Sequence, residues 1–319
     1  MSSHDVEKPK LIVIAGPTAT GKSALAVELA LKIKGEIISA DSMQVYRGMD
    51  IGTAKITKEE MKGVPHYLID CLDPDEDFNV YRFQQMAKDA IETIREHGSV
   101  PIICGGTGFY IQSVAYDIAF TEEDGDDIRK ELEAYVREHE NGDQELYERL
   151  RTLDPEYAST LHFHNVKKVI RALTYMELNG GKFSEHNAKE RARTSPYDLK
   201  YFVLTDDRSV LYDGIDKRVD KMVKTGLLQE VASLKEKGYH KGMISIQGLG
   251  YKEVLDYLDG LCTLEEAIDR IKRETRHFAK RQLTWFRREK DVIWLDRRDF
   301  DRDINRMCEY IRGLVTARS

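Results

Sequence analysis

An eight-residue segment near the start of the chain has the residue types and spacing of a phosphate-binding loop. It reads GPTATGKS and fits the pattern G-x-x-x-x-G-K-S/T. The glycines let the backbone turn so that successive N–H groups point at phosphate oxygens, and a following helix adds its dipole. The lysine supplies positive charge, and the serine hydroxyl can ligate Mg²⁺. The segment predicts a site for a di- or triphosphate formed by Gly16, Pro17, Thr18, Ala19, Thr20, Gly21, Lys22 and Ser23.

A second candidate is the carboxylate of Asp41, which directly follows the apolar run 36–40. If that run is a strand, Asp41 lies at the same edge of the sheet as the phosphate-binding loop, where it can act as a base or bind metal. The alternative is that Asp41 and Ser42 cap a helix. The spacing alone leaves both alternatives open.

Apolar runs that alternate with helical patterns predict the elements that position these residues. Runs that end at Gly16, Asp41 and Gly105 read as strands over 10–15, 36–40 and 100–104, with a further short strand at 67–69. Helical spacing appears over 23–34 and 80–97. Strands alternating with helices predict an α/β protein with a parallel sheet, in which ligands bind beyond the carboxyl ends of the strands.

The pattern changes after Asp117. An acidic segment, 122–127, leads into helical patterns at 128–140, 143–153 and 165–178, and a strand pattern returns only at 201–204. We therefore predict a P-loop α/β core over 1–117 and a helical insertion over 118–195. The second part of the core, 196–319, is predicted to be mostly helical and to end in a long helix that begins near Thr263.

That long helix is predicted to have one apolar and one basic side. Its apolar residues are Leu264, Ile268, Ile271, Phe278 and Trp285, and the opposite side carries Arg270, Arg273, Arg276, Lys280, Arg281, Arg287 and Arg288. Only Glu274 and Glu289 lie nearby in the sequence to pair with these cations. Such a row suits a nucleic-acid backbone, although a solvated face with ion pairs is the alternative. Lys167, Lys168 and Arg171 repeat the pattern on a smaller scale, so two basic helices predict an RNA ligand.

Composition sets broad limits on the class of protein. The chain has 319 residues, of which 41% are hydrophobic and 33% charged, as expected of a soluble globular protein. Its net charge of -7 argues weakly against nucleic acid, but a clustered basic face matters more than the sum. We expect a cytoplasmic protein without membrane attachment, because no apolar run approaches the roughly 20 residues of a membrane span. The polar start shows no secretory signal, and the four cysteines lie far apart.

Seven segments, in order along nearly the whole chain, resemble the tRNA dimethylallyltransferase family, also called tRNA isopentenyltransferases. They are GPTATGKS (16–23), ISADSMQVYRGMDIGTAK (38–55), PIICGGTGFY (101–110), KKVIRAL (167–173), RVDKMVKTGLL (218–228), QGLGYKE (247–253) and KRQLTWFR (280–287). The second and last are far more specific than the first, which many NTPases share. His162-Phe163-His164 stands where the family usually has a His-Pro-Asn run. Without the zinc-finger tail of eukaryotic relatives, the chain looks like a bacterial form.

The resemblance implies a reaction. Members of the family transfer a dimethylallyl group from dimethylallyl diphosphate to the exocyclic N6 amine of adenosine 37 of tRNA, next to the anticodon, and release pyrophosphate with the help of Mg²⁺. By its match to the family motifs, Asp41 is expected to be the general base, Arg218 to reach the diphosphate and Thr107 to lie near the reacting centre. The expected assembly is one tRNA anticodon stem-loop on a monomer.

The resemblance also implies which residues contact the tRNA. They are Asp41, Ser42, Met43, Gln44, Thr107, Arg129, Lys167, Lys168, Arg171, Gln247, Gly248, Gly250, Tyr251, Lys252, Lys280, Arg281, Gln282, Thr284, Trp285 and Arg287. We hypothesise that Gln44 reads a base edge. A small-molecule kinase is the main alternative function, but it does not account for the basic helix. A nucleic-acid-binding NTPase accounts for that helix but gives the segment 41–55 no task.

Overall fold

Six parallel strands form one sheet in the computed structural model, which describes residues 8–120 and 126–316. Their order across the sheet is β3-β2-β4-β1-β5-β6. The strands are β1 (Lys10–Ala15), β2 (Gly35–Ala40), β3 (His66–Tyr67), β4 (Val100–Gly105), β5 (Asp198–Thr205) and β6 (Val292–Asp296). Residues up to Asp117 and from Ser195 onward form one compact unit, and Ile118–Thr194 form another.

Strand register brings the two Gly-rich segments and Asp41 to one edge of the sheet. Ala15, the last residue of β1, pairs with Gly105 of β4, and Gly105 also pairs with Ala40 of β2. The first residues after these strands are Gly16, Gly106 and Asp41. The parallel sheet predicted from the sequence is confirmed, and so is its P-loop type of fold.

Helices cover both faces of this sheet. Those of the sheet-containing unit are α1 (Lys22–Ile33), α2 (Lys58–Met61), α3 (Val80–Glu96), α4 (Gly108–Ala115), α10 (Arg208–Thr225), α11 (Leu227–Glu236), α12 (Tyr251–Leu258), α13 (Leu264–Phe286) and α14 (Ile304–Thr316). Along β1, Leu11, Val13 and Ala15 belong to the core under α3, α4 and α10–α13, whereas Ile12 and Ile14 belong to the core under α1 and α14. This alternation follows from the two-residue period of a strand.

The second unit is helical where it is described. Its helices are α5 (Asp126–Glu138), α6 (Gly142–Leu153), α7 (Pro155–Ala158), α8 (Val166–Asn179) and α9 (Phe183–Ala192). Their apolar sides meet in a core of their own, which includes Leu146, Leu150, Ile170, Leu173 and Phe183. The predicted acidic segment 122–127 lies mostly outside the described residues. No helix described in either unit combines the length and the apolar character that crossing a membrane requires.

The end of the chain differs from the sequence-based expectation. The long helix begins as predicted, with a capping box between Thr263 and Glu266, but it is followed by β6 and α14. Strand β6 was missed because it is a five-residue edge strand whose side chains are mostly half-buried or exposed, so its apolar pattern is short. Helix α14 buries Met307, Cys308 and Ile311 in the core under α1. Two short 3₁₀ turns, Ser245–Gln247 and Arg297–Phe300, complete the elements.

The opposite edge of the sheet, where the strands begin, contains a buried carboxylate. Glu36 of β2 is only 6% exposed. It accepts a hydrogen bond from the Tyr67 hydroxyl at 2.7 Å, and its oxygens lie 3.2 and 3.3 Å from Nδ1 of His97. Burial by itself raises the pKa of Glu36, but hydrogen bonds from Tyr67, Ser99 and His97 outweigh it and lower this pKa below its ordinary value.

Substituting Glu36→Gln should lower the free energy of unfolding at pH 7 by about 1–3 kcal/mol, because a buried carboxylate that accepts hydrogen bonds loses its charge. The folded-state pKa lies below the unfolded value of about 4.3. The stabilisation is therefore present above that unfolded value and is lost as the pH falls through the folded-state pKa. Urea denaturation from pH 7 down to pH 3 should show the difference between the two proteins shrinking in acid.

Glu92→Gln is the matched control for this prediction. Glu92 is exposed on α3 and pairs with Arg95 at 3.0 Å. Its substitution should change stability by less than about 0.5 kcal/mol at every pH. A Glu36→Gln difference that does not depend on pH would contradict the proposed role of the ionised carboxylate.

Candidate functional site

The loop between β1 and α1 has the strand-loop-helix form expected from its motif. Gly16 has φ +142° and Gly21, which precedes α1, has φ +83°, conformations that residues with a Cβ rarely adopt. A Cβ on Gly16 would also lie 2.7 Å from the carbonyl oxygen of Leu204 on β5. The two glycines of the motif are thus required by backbone geometry, the first of them also by close packing against β5.

Two cationic side chains converge on this phosphate loop, Gly16–Ser23. Lys22 donates a hydrogen bond from Nζ to the carbonyl of Pro17 at 2.7 Å, and Arg218 of α10 donates from Nη1 to Oγ1 of Thr18 at 3.0 Å. The pKa of Lys22 is lowered to about 8, chiefly by burial and also by repulsion from Arg218, while Cys104 and Asp41 act in the opposite direction. Burial also lowers the pKa of Arg218. Two cations held close together in a partly desolvated place favour an anionic ligand.

The carboxylate of Asp41 caps a turn rather than the helix start that the sequence suggested, and it also lines the cleft. Its Oδ1 accepts hydrogen bonds from the backbone N–H groups of Met43 at 2.9 Å and Gln44 at 3.4 Å, so it caps the turn after β2. Its Oδ2 has no hydrogen-bond partner among residues 8–120 and 126–316. Asp41 also lines the same cleft as Lys22 and Arg218. One carboxylate oxygen is thus used structurally, and the other is available for chemistry.

The cleft that contains these groups has a volume of about 710 Å³. The phosphate loop, Asp41, residues 50–57, the end of β4, α10 and α13 form its walls. Ser23, the predicted metal ligand, lies on its lining. Apolar side chains occupy part of the wall and include Val27, Ile51, Ile56, Met222 and Phe278. The cleft therefore combines a cationic end with an apolar surface.

Thr107 lies at the start of α4, directly after the glycines of β4. Its backbone N–H donates to the carbonyl of Ala40 at 3.2 Å, which ties α4 to the end of β2. The cleft is lined by its neighbours Gly105 and Gly106 rather than by Thr107 itself. A Cβ on Gly106 would lie 2.2 Å from Nε2 of Gln282, and one on Gly108 would lie 2.1 Å from Cδ1 of Trp285. These glycines therefore let α13 approach the strand ends.

A carboxylate that the sequence analysis missed holds the strand-end loop, residues 41–55. Glu230 of α11 accepts hydrogen bonds from the backbone N–H groups of Asp50 at 2.9 Å, Ile51 at 2.7 Å and Gly52 at 3.0 Å. It also accepts one from the Tyr251 hydroxyl at 2.7 Å. No short motif marks Glu230, because the loop that it binds lies about 180 positions earlier in the chain. Only the folded backbone brings these groups together.

Lys55, within the segment that carries the family resemblance, holds the same strand-end loop from inside. Its side chain is 5% exposed and donates to Asp50 Oδ1 at 2.6 Å, Asp70 Oδ1 at 2.5 Å and the carbonyl of Tyr46 at 2.7 Å. The shape of the loop that follows Asp41 is therefore fixed by a buried lysine and by Glu230.

Several residues predicted to touch tRNA are used inside the protein instead. Tyr251 is fully buried, with its ring against Gly52, so the expected direct contact with RNA does not fit its position. Gly248 and Gly250 are buried beside it. Gln44 is half-buried on the lining of the cleft, where it donates to the carbonyl of Thr53 at 3.3 Å and accepts from Ser39 at 3.2 Å. That its amide reads a base edge stays a prediction.

Other predicted RNA contacts lie at or near the surface of the sheet-containing unit. Gln247 is exposed and donates to the carbonyl of Lys241. Lys252 is half-buried, 3.8 Å from Glu253. Ser42 and Met43 are half-buried in the strand-end loop. Of this group, the Gln247 side chain is the most accessible to a large ligand.

The cations on the basic side of α13 differ between its first and second halves. In the first half they pair with carboxylates of other helices, so the expectation that only Glu274 and Glu289 were near enough to pair was wrong. Arg270 pairs with Asp256 of α12 at 2.9 Å, and Arg276 pairs with Asp216 of α10 at 2.5 Å. These carboxylates come from other helices, so the helix's own sequence could not reveal them. The later cations are exposed and form no ion pair within the described part of the chain. This basic patch consists of Lys280, Arg281, Arg287 and Arg288.

A shallow depression lies in the basic patch. It is lined by His277, Lys280, Arg281, Thr284, Trp285 and Arg288. Trp285 is half-buried and meets Phe109 edge to face, with ring centroids 6.0 Å apart. Cations beside an aromatic ring are the combination that binds single-stranded nucleic acid.

The helical unit has its own exposed cations. Lys167, Lys168 and Arg171 are exposed on α8, and Arg171 lies 5.7 Å from the centroid of the Phe183 ring. Arg129 on α5 is exposed and pairs with Glu133 at 3.1 Å. Before α8, the rings of His162, Phe163 and His164 pack together, and Nδ1 of His164 lies 2.8 Å from Asp143. This cluster occupies the place where the sequence departs from the family pattern.

Comparison with known proteins shows the family to which this chain belongs. A family model described as IPP transferase matches residues 44–289. The chain belongs to the IPP transferase family. A tRNA dimethylallyltransferase of Lachnoclostridium phytofermentans is 54% identical over 306 residues, which are 96% of this chain and 97% of that protein. The family resemblance recognised in the motifs is therefore confirmed.

Solved structures of IPP transferases extend the comparison. A full-length tRNA isopentenylpyrophosphate transferase from Bacillus halodurans is 48% identical, with a TM-score of 0.72 and 96% of each chain covered. A eukaryotic dimethylallyltransferase described as acting on tRNA is 32% identical, with a TM-score of 0.77 over 90% of this chain and 74% of that one. The fold described above is thus the fold of the family.

Lys22 should take up a proton when an anion binds in the cleft. With a pKa of about 8 in the free protein, Lys22 is mostly neutral at about pH 9, and a bound diphosphate favours the charged form. Titration calorimetry with inorganic pyrophosphate, in two buffers of different ionisation enthalpy, measures this uptake. Lys22→Arg is the control, because an arginine at this position is charged before and after binding and takes up no proton. Any proton exchanged by pyrophosphate itself is the same for both proteins, so the difference in uptake belongs to Lys22. Equal uptake by both proteins would contradict the prediction.

Substituting Glu230→Ala should release the strand-end loop, because three backbone donors lose their acceptor. Each unsatisfied donor costs on the order of 1–3 kcal/mol, so amide hydrogen exchange at residues 50–52 should accelerate at least about tenfold. Exposed Gln229 on the same helix supplies the control, since Gln229→Ala should leave those amides unchanged. Exchange that stays slow after Glu230→Ala would show that other contacts hold the loop.

Proposed function

We propose that the protein transfers a dimethylallyl group from dimethylallyl diphosphate to N6 of adenosine 37 of tRNA and releases pyrophosphate. One observation carries the proposal: Asp41 has an unengaged carboxylate oxygen in the same cleft as Lys22 and Arg218. A base and a cationic leaving-group site in one cleft are what this substitution requires. The relatives named tRNA dimethylallyltransferases, at up to 54% identity, support the same reaction.

The diphosphate of the substrate is assigned to the phosphate loop. Negative charge grows on the pyrophosphate as it leaves, so loop N–H groups, Lys22 and Arg218 stabilise the transition state more than the ground state. The apolar part of the cleft wall, which includes Val27, Met222 and Phe278, suits the five-carbon group. A ligand with a charged head and a short apolar tail thus matches both ends of the cleft.

Mg²⁺ is the proposed cofactor, and the chemistry of the site fits it. Magnesium keeps several waters and takes one or two protein ligands together with phosphate oxygens. In the described ranges, no three His, Cys, Asp or Glu side chains are grouped to hold a metal. The Ser23 hydroxyl, at the position where this loop type ligates Mg²⁺, is the ligand that we assign. When bound, Mg²⁺ would neutralise part of the charge on the leaving pyrophosphate.

Asp41 is assigned as the general base. The adenine amine is a poor nucleophile because its lone pair is delocalised into the ring. As the new C–N bond forms, the amine must lose a proton, and we assign Oδ2 of Asp41, the oxygen not used in the turn, as its acceptor. The hydrogen bonds to Oδ1 fix the orientation of the carboxylate. The structural and chemical roles of Asp41 therefore support each other.

For the tRNA, we assign two exposed basic surfaces, one in each unit. The first is the basic patch of α13 together with Thr284 and Trp285, and the second is Lys167, Lys168 and Arg171. Both present cations suited to a phosphate backbone. The adenosine must leave the anticodon loop, at a cost of a few kcal/mol that is smaller in a loop than in a duplex. We propose a monomer that binds one tRNA in the cytoplasm.

The testing experiment separates the two roles of Asp41. Purified protein is incubated with Mg²⁺, labelled dimethylallyl diphosphate and unmodified tRNA, and the digested RNA is examined for isopentenyladenosine. Asp41→Asn keeps an oxygen to cap the turn but removes the base, so transfer should fall by about 10²–10⁴-fold. Asp41→Ala, which removes the cap as well, should be at least as slow.

Two results would contradict the proposal. If Asp41→Asn transferred at the wild-type rate, Asp41 would only be a cap. If no label appeared in RNA and ATP were consumed instead without RNA, the phosphate loop would belong to a small-molecule kinase.

A further inference from the structure

Gln282 links two loops at the carboxyl ends of β1 and β4. It lies on α13 and is only 7% exposed. Its Oε1 accepts a hydrogen bond from the backbone N–H of Thr18 at 3.0 Å, and its Nε2 donates to the carbonyl of Gly106 at 3.0 Å. Both ends of the amide are therefore engaged, one with the phosphate loop and one with the Gly-rich end of β4.

Thr18 of the phosphate loop forms hydrogen bonds with residues of two different helices. Its N–H is held by Gln282, and its hydroxyl is held by Arg218. Residues from two helices thus fix the position of one loop residue. Because the loop N–H groups must face the ligand, the position of Thr18 affects how well the loop is organised for a diphosphate.

Helix α13 also carries Lys280 and Arg281 of the basic patch, and Gln282 directly follows them. Arg287 and Arg288 lie just beyond Phe286, the last residue of the helix. The inner side of the helix packs tightly at this point, since a Cβ on Gly106 or Gly108 would lie within 2.2 Å of Gln282 or Trp285. The same part of α13 thus carries exposed cations on its outer side and the buried amide of Gln282 on its inner side.

We propose that Gln282 is a positioning residue that couples binding of RNA on the basic patch to the affinity of the phosphate loop for diphosphate. RNA on the patch restrains α13, so the loop loses less conformational freedom when a diphosphate binds. The coupling is positive and reciprocal, and couplings of this kind typically amount to 5–150-fold. The inference rests on the proposed function because it takes RNA and a diphosphate as the ligands.

The probe for this coupling is inorganic pyrophosphate with Mg²⁺. Its dissociation constant is measured by calorimetry with and without a saturating anticodon stem-loop RNA. In the wild-type protein, RNA should tighten pyrophosphate binding at least about fivefold. Gln282→Met keeps the length of the side chain but removes both hydrogen bonds, and it should reduce this ratio to less than about twofold.

Two further variants make the result specific. Thr275→Ala changes another residue of α13, whose hydroxyl bonds only to Ile271 of its own helix, and should keep the wild-type ratio. Gln282→Glu keeps an acceptor for the Thr18 N–H and loses the donor to Gly106, so it should retain part of the coupling. It also serves as the second variant if Gln282→Met does not fold.

Two outcomes of these measurements would overturn the inference. A Gln282→Met protein that loses pyrophosphate affinity equally with and without RNA would show that Gln282 only supports the loop, and the inference would be overturned. A wild-type ratio near one would overturn it as well. Transfer by the wild-type protein in the labelled-substrate assay is measured separately. A failure of the coupling alone therefore leaves the proposed function standing.

Discussion

The parallel alignment of β1, β2 and β4 at their carboxyl ends is the constraint on which the site depends. Gly105 sits between Ala15 and Ala40 so closely that a Cβ would lie 2.2 Å from the Ala40 carbonyl oxygen. This spacing places the phosphate loop, Asp41 and Gly106 side by side at one edge. Everything else in the site either approaches that edge, as Arg218 and Gln282 do, or fixes a loop that leaves it, as Glu230 and Lys55 do.

The sequence predicted the parts of the molecule whose signals are local. The phosphate loop, the strands that lead to Gly16, Asp41 and Gly105, and the capped start of α13 all follow from short-range pattern and turn chemistry. What it did not predict is tertiary. The hydrogen bonds of Glu230 and the burial of Tyr251 depend on contacts of α11 and α12 with the strand-end loop. Strand β6 is recognisable as a strand only from its pairing with β5. Periodicity does not report contacts between distant segments.

The strand-end loop shows why residues recognised by resemblance need not touch a ligand. Tyr251 lies in a family segment, yet its hydroxyl binds Glu230 and its ring covers Gly52. In the proposed reaction, residues of this kind would act indirectly, because a loop held by buried hydrogen bonds keeps Asp41 in one orientation. A general base needs a fixed geometry relative to the group that it deprotonates.

The net charge of the chain argues against a nucleic-acid ligand, whereas the local charge on α13 favours one. The ion pairs made by arginines of α13 explain the difference. The chain has a net charge of -7, but part of its acidic excess is placed on α10 and α12, where Asp216 and Asp256 neutralise Arg276 and Arg270. Those pairs hold the first half of α13 against α10 and α12. The second half is left with exposed cations next to Trp285. An acidic protein can therefore present a basic surface, because some of its carboxylates form ion pairs that fix the first half of the helix and leave the later cations unpaired.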